Sequence, residues 1–226
     1  MSEPRLARVA AAIADPARSR MLAALLDGRR ASATELAVAG SVGASTASAH
    51  LARLLDAGLL AVEPRGRHRY FRLADAEVAH ALEALALVAE RGAVERDWER
   101  PERRGLREAR RCYGHLAGRL GVGLCDALSR SDRLAAGPAG RLAPTAAGTA
   151  WLGRLGFDTT ALPASATRCY GCLDWSERRD HLAGPLATRL LEHLLARGWL
   201  RPGPGATRAL DLTPTGRTAL LPLLAA

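Results

Sequence analysis

The 226-residue chain contains no lysine, no asparagine and no glutamine, and no cysteine occurs before Cys112. Its 32 side-chain cations, histidine aside, are all arginine, set against 23 acids for a formal charge of +9. Lysine and both amides missing together reads as a preference for GC-rich codons, so that absence says little about function. The net charge still favours an acidic partner, with nucleic acid first. No apolar run approaches the roughly 20 residues that span a bilayer, which excludes a membrane-spanning chain. Met1-Ser2-Glu3-Pro4-Arg5 leads into a segment with charges inside it, unlike a cleavable secretion signal. The expectation is a cytoplasmic protein. In that reducing setting four cysteines make no disulfide scaffold, and spaced thiols point to metal or redox chemistry. No glycine-rich phosphate loop, Ser/His/Asp order or paired-carboxylate site stands out.

What is present is enough for one or two domains: 48% hydrophobic and 24% charged residues over this length. The charge is uneven. Residues 1–75 hold 11 Arg and 7 acids, residues 76–110 hold 7 and 8, and residues 111–226 hold 14 and 8. A near-neutral middle separates two basic ends.

Helical spacing links Leu6, Val9, Ala10 and Ile13. Asp15 then precedes Pro16, a strong helix-start signal, and Met21, Leu22, Leu25 and Leu26 give the next buried face. Ser32 and Glu35 stand three apart, as in a capping box. A short helix to Ala39, a turn through Gly40-Ser41-Val42-Gly43 and a helix from Ala44 to Asp56 follow. Leu59–Val62 and Arg69–Leu73 read as strands joined by a basic tip, Arg65-Gly66-Arg67-His68. Helix, helix, turn, helix and basic hairpin is a winged helix-turn-helix plan.

Asp15-Pro16-Ala17-Arg18, Glu35-Leu36-Ala37, Ser45-Thr46-Ala47-Ser48-Ala49-His50-Leu51, Leu55-Asp56-Ala57-Gly58-Leu59-Leu60 and Arg65 through Leu73 carry a specific resemblance. Over roughly residues 5–90 the chain resembles ArsR/SmtB-type winged-helix repressors. The resemblance implies a homodimer that leaves double-stranded operator DNA when an effector binds. It also implies that the Ala/Leu-rich stretch after the wing, with Val78, Leu82 and Leu85, is the dimer seam. The metal sites familiar in that family are missing. Its cysteine pair would fall near Leu36-Ala37-Val38-Ala39, and residues 75–95 offer only Asp75, Glu77 and His80 toward the other.

For the DNA face, the expected contacts are Ala44, Ser45, Thr46, Ser48, Ala49, His50 and Arg53 on the second helix of the motif. Small side chains let a helix sit deep in the major groove. Arg65, Arg67, His68 and Arg69 on the hairpin reach phosphates or the minor groove. His50 faces inward or toward the DNA backbone, and both roles stay open.

Beyond a charged helical linker over 93–110, the chain repeats itself. His115-Leu116-Ala117-Gly118 recurs as His181-Leu182-Ala183-Gly184, and Leu120, Leu124, Leu128, Leu134, Gly137 and Pro138 recur 66 residues later. Thr145 and Gly148 meet Thr213 and Gly216 after a two-residue slip. The expectation is a mainly α protein with small β-hairpins: a winged helix-turn-helix over 1–92, then a pseudo-duplicated helical or winged-helix-like domain over 111–226. The two copies would run over about 111–158 and 168–226.

Arg111-Cys112-Tyr113-Gly114 is echoed by Arg168-Cys169-Tyr170-Gly171, and Cys172 completes a Cys-x-x-Cys. Cys112, Cys169 and Cys172 are therefore expected to converge on a soft metal or metalloid ion, with core packing and thiol redox sensing as rivals. Cys125 lies among leucines and reads as core. Tyr113, Tyr170, Asp174, Trp175, Arg178 and His181 form a candidate pocket for an organic anion. Asp174 could equally cap a helix, with Glu177 at its third position. The function expected is a transcriptional regulator. The alternatives are a thiol–disulfide oxidoreductase using Cys169 and Cys172, and an architectural DNA binder without an effector.

Overall fold

The computed structural model describes residues 4–92, 94–137, 140–204 and 208–225. Met1, Ser2, Glu3 and Pro138, named above, lie outside them. The chain divides into two units, Met1–Leu82 and Glu83–Ala226.

In the first unit α1 (Pro4–Ile13) leads into α2 (Pro16–Leu25). The Asp15 carboxylate starts α2 by accepting the N–H groups of Ala17 and Arg18, both at 3.0 Å, and Pro16 has no N–H to satisfy. Strand β1 (Ala31–Ser32) runs into α3 (Ala33–Gly40) through the expected capping box. The Ser32 N–H donates to Glu35 at 2.7 Å, and the Glu35 N–H donates back to the Ser32 hydroxyl at 3.3 Å. Then come α4 (Ala44–Asp56), β2 (Leu60–Arg65), β3 (His68–Leu73) and α5 (Ala76–Ala89). The sheet order is β1-β3-β2. Met21, Leu22, Leu25, Leu36, Leu54 and Leu73 are fully buried and form the centre.

The wing is longer than its sequence suggests. Arg65 pairs with His68, which leaves Gly66-Arg67 as a two-residue loop. Gly66 sits at φ +59, the positive value that such a loop asks of its first residue.

The second unit takes in the end of α5 and then α6 (Pro101–Glu108), the latter inside the segment expected to be a linker. Two runs of the same element order follow. The first is β4 (Arg110–Cys112), β5 (His115–Ala117), α7 (Gly118–Ser129), β6 (Leu134–Ala136), β7 (Leu142–Pro144) and α8 (Ala146–Arg154). The second is β8 (Tyr170–Leu173), β9 (Asp180–Ala183), α9 (Pro185–Ala196), β10 (Leu200–Pro202), β11 (Leu210–Leu212) and α10 (Pro214–Ala225). Each strand pair is an antiparallel hairpin. Leu128, Trp151, Leu152, Leu155, Leu186, Leu191, Leu194 and Leu220 join both runs in one core.

The Thr-x-x-Gly spacing has a physical cause. Thr145 and Thr213 cap α8 and α10, each hydroxyl accepting the N–H of the glycine three residues on, Gly148 at 3.1 Å and Gly216 at 3.0 Å. Those glycines lie against the entry to the preceding hairpin. A Cβ on Gly148 would come within 1.9 Å of the Arg133 carbonyl oxygen, and one on Gly216 within 2.1 Å of that of Trp199. Backbone cannot yield as a flexible side chain can. Gly216→Ala is therefore expected to cost about 1–3 kcal/mol of stability or more, read by urea unfolding. An unchanged midpoint would mean that α10 docks differently.

Candidate nucleic-acid interface and buried cysteine–histidine cluster

Helix α4 buries Ala47, Leu51 and Leu54 and turns its other side outward. Ala44, Ser45, Thr46, Ser48, Ala49 and Arg53 are all exposed, as are Arg65, Arg67, His68 and Arg69 of the wing. The Ser48 hydroxyl donates to the Ala44 carbonyl at 2.9 Å, so its lone pairs are what remains for a partner. Arg69 lies over Phe71, 5.7 Å from the ring centre.

His50 departs from this set. Its ring is half-buried, with Nδ1 3.2 Å from Arg18 and Nε2 3.8 Å from Asp15. Arginine only donates, so Nδ1 accepts and the ring proton sits on Nε2, facing the carboxylate. Arg18 is itself buried and donates to the carbonyls of Ala12 at 2.5 Å and Ala11 at 3.0 Å. Of the two roles read for His50, its placement fits the inward one: it ties α4 to the α1–α2 corner. Sequence reading missed Arg18, whose signal was the spacing Asp-Pro-x-Arg.

In the second unit the thiols do not meet as a set of three. Cys169 bridges in backbone to Leu142, and its Sγ lies 3.6 Å from the Leu142 carbonyl oxygen. Burial pushes Cys169 up to about 12 and Cys125 up to about 11. Both read as inert core thiols. Cys112, by contrast, sits with His115 and His181, all three buried and their ligand atoms within 4.8 Å of one another. The Cys172 thiol is not in that trio but is hydrogen-bonded to Cys112. The hairpin register explains this. Cys112 lies opposite His115 across β4–β5, and Cys172 lies opposite His181 across β8–β9. Cys172 is thus the counterpart of Cys112. The Arg-Cys-Tyr-Gly echo pointed instead to Cys169, three residues earlier, which lies opposite Leu142 and outside the hairpin.

Behind the cluster stands a charged network whose arginine, Arg110, sequence reading left in the linker. Arg110, wholly buried, forms an ion pair with Asp174 at 3.0 Å and donates to the Ser176 hydroxyl at 3.0 Å, and its guanidinium lies 4.3 Å from the Trp175 ring centre. Asp174 also accepts the N–H groups of Gly118 at 2.7 Å and Ser176 at 2.9 Å. Its Oδ2 stands 3.3 Å from Nδ1 of His181. Burial alone would raise the Asp174 carboxyl. The His181 imidazole beside it, the Arg110 charge, and the Gly118 and Ser176 donors outweigh it and hold the group well below the usual carboxylate range. Burial likewise works against a charged His181, but Asp174 and Cys112 together bring it up to about 9. The bond between the two thiols pushes Cys112 well up and Cys172 down.

The candidate anion pocket does not gather at one opening. Asp174 and Trp175 are buried, with Trp175 stacked on Trp98 at 5.6 Å, so Asp174 serves as a turn cap. Arg178 is exposed and donates to the Glu90 carbonyl, while Tyr113 and Tyr170 are half-buried. Tyr170 packs 3.1 Å from where a Cβ on Gly184 would lie. A cavity in this unit is lined instead by Arg104, Glu108, Arg119, Arg201, Asp211 and Arg217 among others. None of the six expected residues borders it.

A helix-turn-helix whose second helix presents small polar groups, followed by an arginine-tipped hairpin, defines a winged helix-turn-helix DNA-binding domain. Comparison with known proteins agrees: residues 13–63 match the helix-turn-helix domain family. The HTH-type transcriptional regulator YdfF of Bacillus subtilis is 38% identical over 219 residues, covering 96% of this chain and 95% of its own length. CmtR of Mycobacterium tuberculosis, also an HTH-type transcriptional regulator, is 41% identical over 88 residues, 39% of this chain and 74% of CmtR. Among solved structures, the homodimeric winged helix-turn-helix domain of Mb0332 from Mycobacterium bovis, described as a possible ArsR-family regulator, covers 41% of this chain and 88% of its own at 29% identity and a TM-score of 0.37. This chain belongs to the HTH-type transcriptional regulators.

Proposed function

We propose that the chain is a homodimeric repressor. Each protomer lays α4 in the major groove of an operator and the wing on the flanking backbone, and an effector in the second unit releases the DNA. The observation that carries this is the outward face of α4, small from Ala44 to Ala49 and ending in Arg53, beside exposed Arg65 and Arg67. Guanidinium groups at such a tip neutralise phosphates, while hydroxyls and methyls on the helix meet base edges. A thiol–disulfide oxidoreductase fits poorly, because Cys169 and Cys172 address different partners. The repeated element order of the second unit supports reading it as a duplicated regulatory domain. Its thiols and imidazoles favour a soft metal or metalloid ion as the effector class. The direct test is fluorescence anisotropy on duplexes from the gene's own upstream region. Binding there should exceed binding to a shuffled duplex by at least about a thousandfold. Equal binding would leave an architectural binder.

Dimerisation is assigned to α5, where Leu85 and Val88, one turn apart, are 49% and 50% exposed. Apolar side chains repeated on one exposed helical face mark a surface that a second copy can cover. Leu85→Glu with Val88→Glu should give monomers by sedimentation velocity, with operator affinity reduced because two half-sites no longer bind together. Unchanged dimers would place the seam elsewhere.

A further inference from the structure

The geometry points to a closed, tetrahedral metal site made by Cys112, His115, Cys172 and His181, which takes one borderline-soft divalent ion of the zinc class per chain. This inference deepens the effector reading above and rests on it for the ion's role, though not for the ion's binding. Four observations converge. Each of two hairpins contributes one sulfur and one imidazole directly opposite each other, Cys112 with His115 and Cys172 with His181. The ligand atoms of Cys112, His115 and His181 already lie within 4.8 Å of one another, and Cys172 reaches Cys112. Both ring nitrogens of His181 are buried and make no hydrogen bond of good geometry. Its Nδ1 nevertheless has Asp174 at 3.3 Å, the carboxylate–imidazole arrangement that orients a metal-binding histidine through its other nitrogen.

The donor set decides the class of ion. Two sulfurs and two imidazoles suit zinc, cadmium or cobalt(II), and offer no oxygen cage for calcium or magnesium. Cys112, His115 and His181 are at most 4% exposed, so no position is left open for substrate, which marks a structural or sensing ion rather than a catalytic one. On loading, each thiol gives its proton to solvent as its sulfur takes the ion, and a protonated imidazole does the same. The ion would clamp β4–β5 to β8–β9, and Asp174 would carry that constraint to Arg110 and to the start of α7.

The test uses the reduced full chain, without DNA, titrated anaerobically with cobalt(II). The expected result is one cobalt per chain, with the intense visible bands of tetrahedral coordination and a sulfur-to-cobalt charge-transfer band, all displaced by zinc. Cys172→Ser, at a half-buried position, should remove about half the charge-transfer intensity. It should also weaken cobalt binding more than about tenfold, the loss that even an outer-shell change causes. Cys169→Ser and Cys125→Ser should titrate as the wild type. Circular dichroism confirms that each variant is folded. A folded wild type with no cobalt bands, or Cys172→Ser titrating as the wild type, overturns the site. So does a Cys112–Cys172 disulfide that forms on mild oxidation equally fast with and without zinc, since ligated sulfurs are protected. A chain that takes one ion as described, yet holds operator equally with and without it, supports the site and removes the effector reading alone.

Discussion

Asp174→Ala is expected to lower the stability of the second unit by about 3–5 kcal/mol, the cost of stranding one partner of a buried ion pair. Asp174 and Arg110 are both fully buried. Without the carboxylate, the guanidinium keeps the Ser176 hydroxyl, the Leu106 carbonyl at 3.2 Å and Glu83 at 3.9 Å. None of these replaces a pairing at 3.0 Å between full charges. The Gly118 N–H, where α7 begins, is left without its acceptor as well. Fluorescence isolates the effect. All four tryptophans (Trp98, Trp151, Trp175 and Trp199) lie beyond residue 82, so indole emission during guanidinium unfolding reports on the second unit alone. Ser176→Ala is the comparison, at about 1.5–3 kcal/mol, because its hydroxyl accepts from Arg110 at 3.0 Å and donates to the Asp174 carboxylate at 2.7 Å, both charged partners. An Asp174→Ala effect no larger than that of Ser176→Ala would mean that the network is not what holds the two hairpins in place.

On DNA, Arg65→Ala together with Arg67→Ala should flatten the salt dependence of binding by about 0.9 in log–log slope for each phosphate no longer neutralised. For the proposed dimer, with two arginines removed from each protomer, four phosphates would be freed and the slope should change by about 3–4. Operator and random duplex should weaken alike, because phosphate contacts carry no sequence information. Ser45→Ala with Ser48→Ala should do the reverse, leaving the slope intact and shrinking the operator-to-random ratio, since those hydroxyls stand on the helix proposed to face the bases. Anisotropy titrations at several salt concentrations separate the two. An unchanged slope in the arginine variants would take the wing off the DNA.

Much of the first unit was legible because its signals are local. Asp15-Pro16 and the Ser32/Glu35 box act within one helical turn, and Leu51 and Leu54 follow the helical period. The turn Gly66-Arg67 was placed within a residue or two, since glycine marks it and only register fixes its ends. The second unit was legible in its punctuation, as Thr145/Gly148 and Thr213/Gly216 show, because caps and close backbone approaches leave fixed residue types. Its cluster was not. Cys112 and Cys172 meet through strand register across hairpins of unequal loop length, which a sequence repeat misaligns. Nor could spacing show that Arg110, in a run of mixed charge, turns inward to Asp174 while Arg104 and Glu108 stay exposed. Charge runs look alike whichever member is buried.

The central claim is that this protein reads a DNA sequence as a dimer through α4 and the wing. The measurement closest to it is capture of random genomic fragments by the immobilised chain at physiological salt, with sequencing of what is retained. The account predicts enrichment of one short inverted repeat, its half-sites about one helical turn or a multiple of it apart, and disappearance of that enrichment when Ser45 and Ser48 are replaced. Retained DNA with the composition of the input, differing only in length, would contradict it.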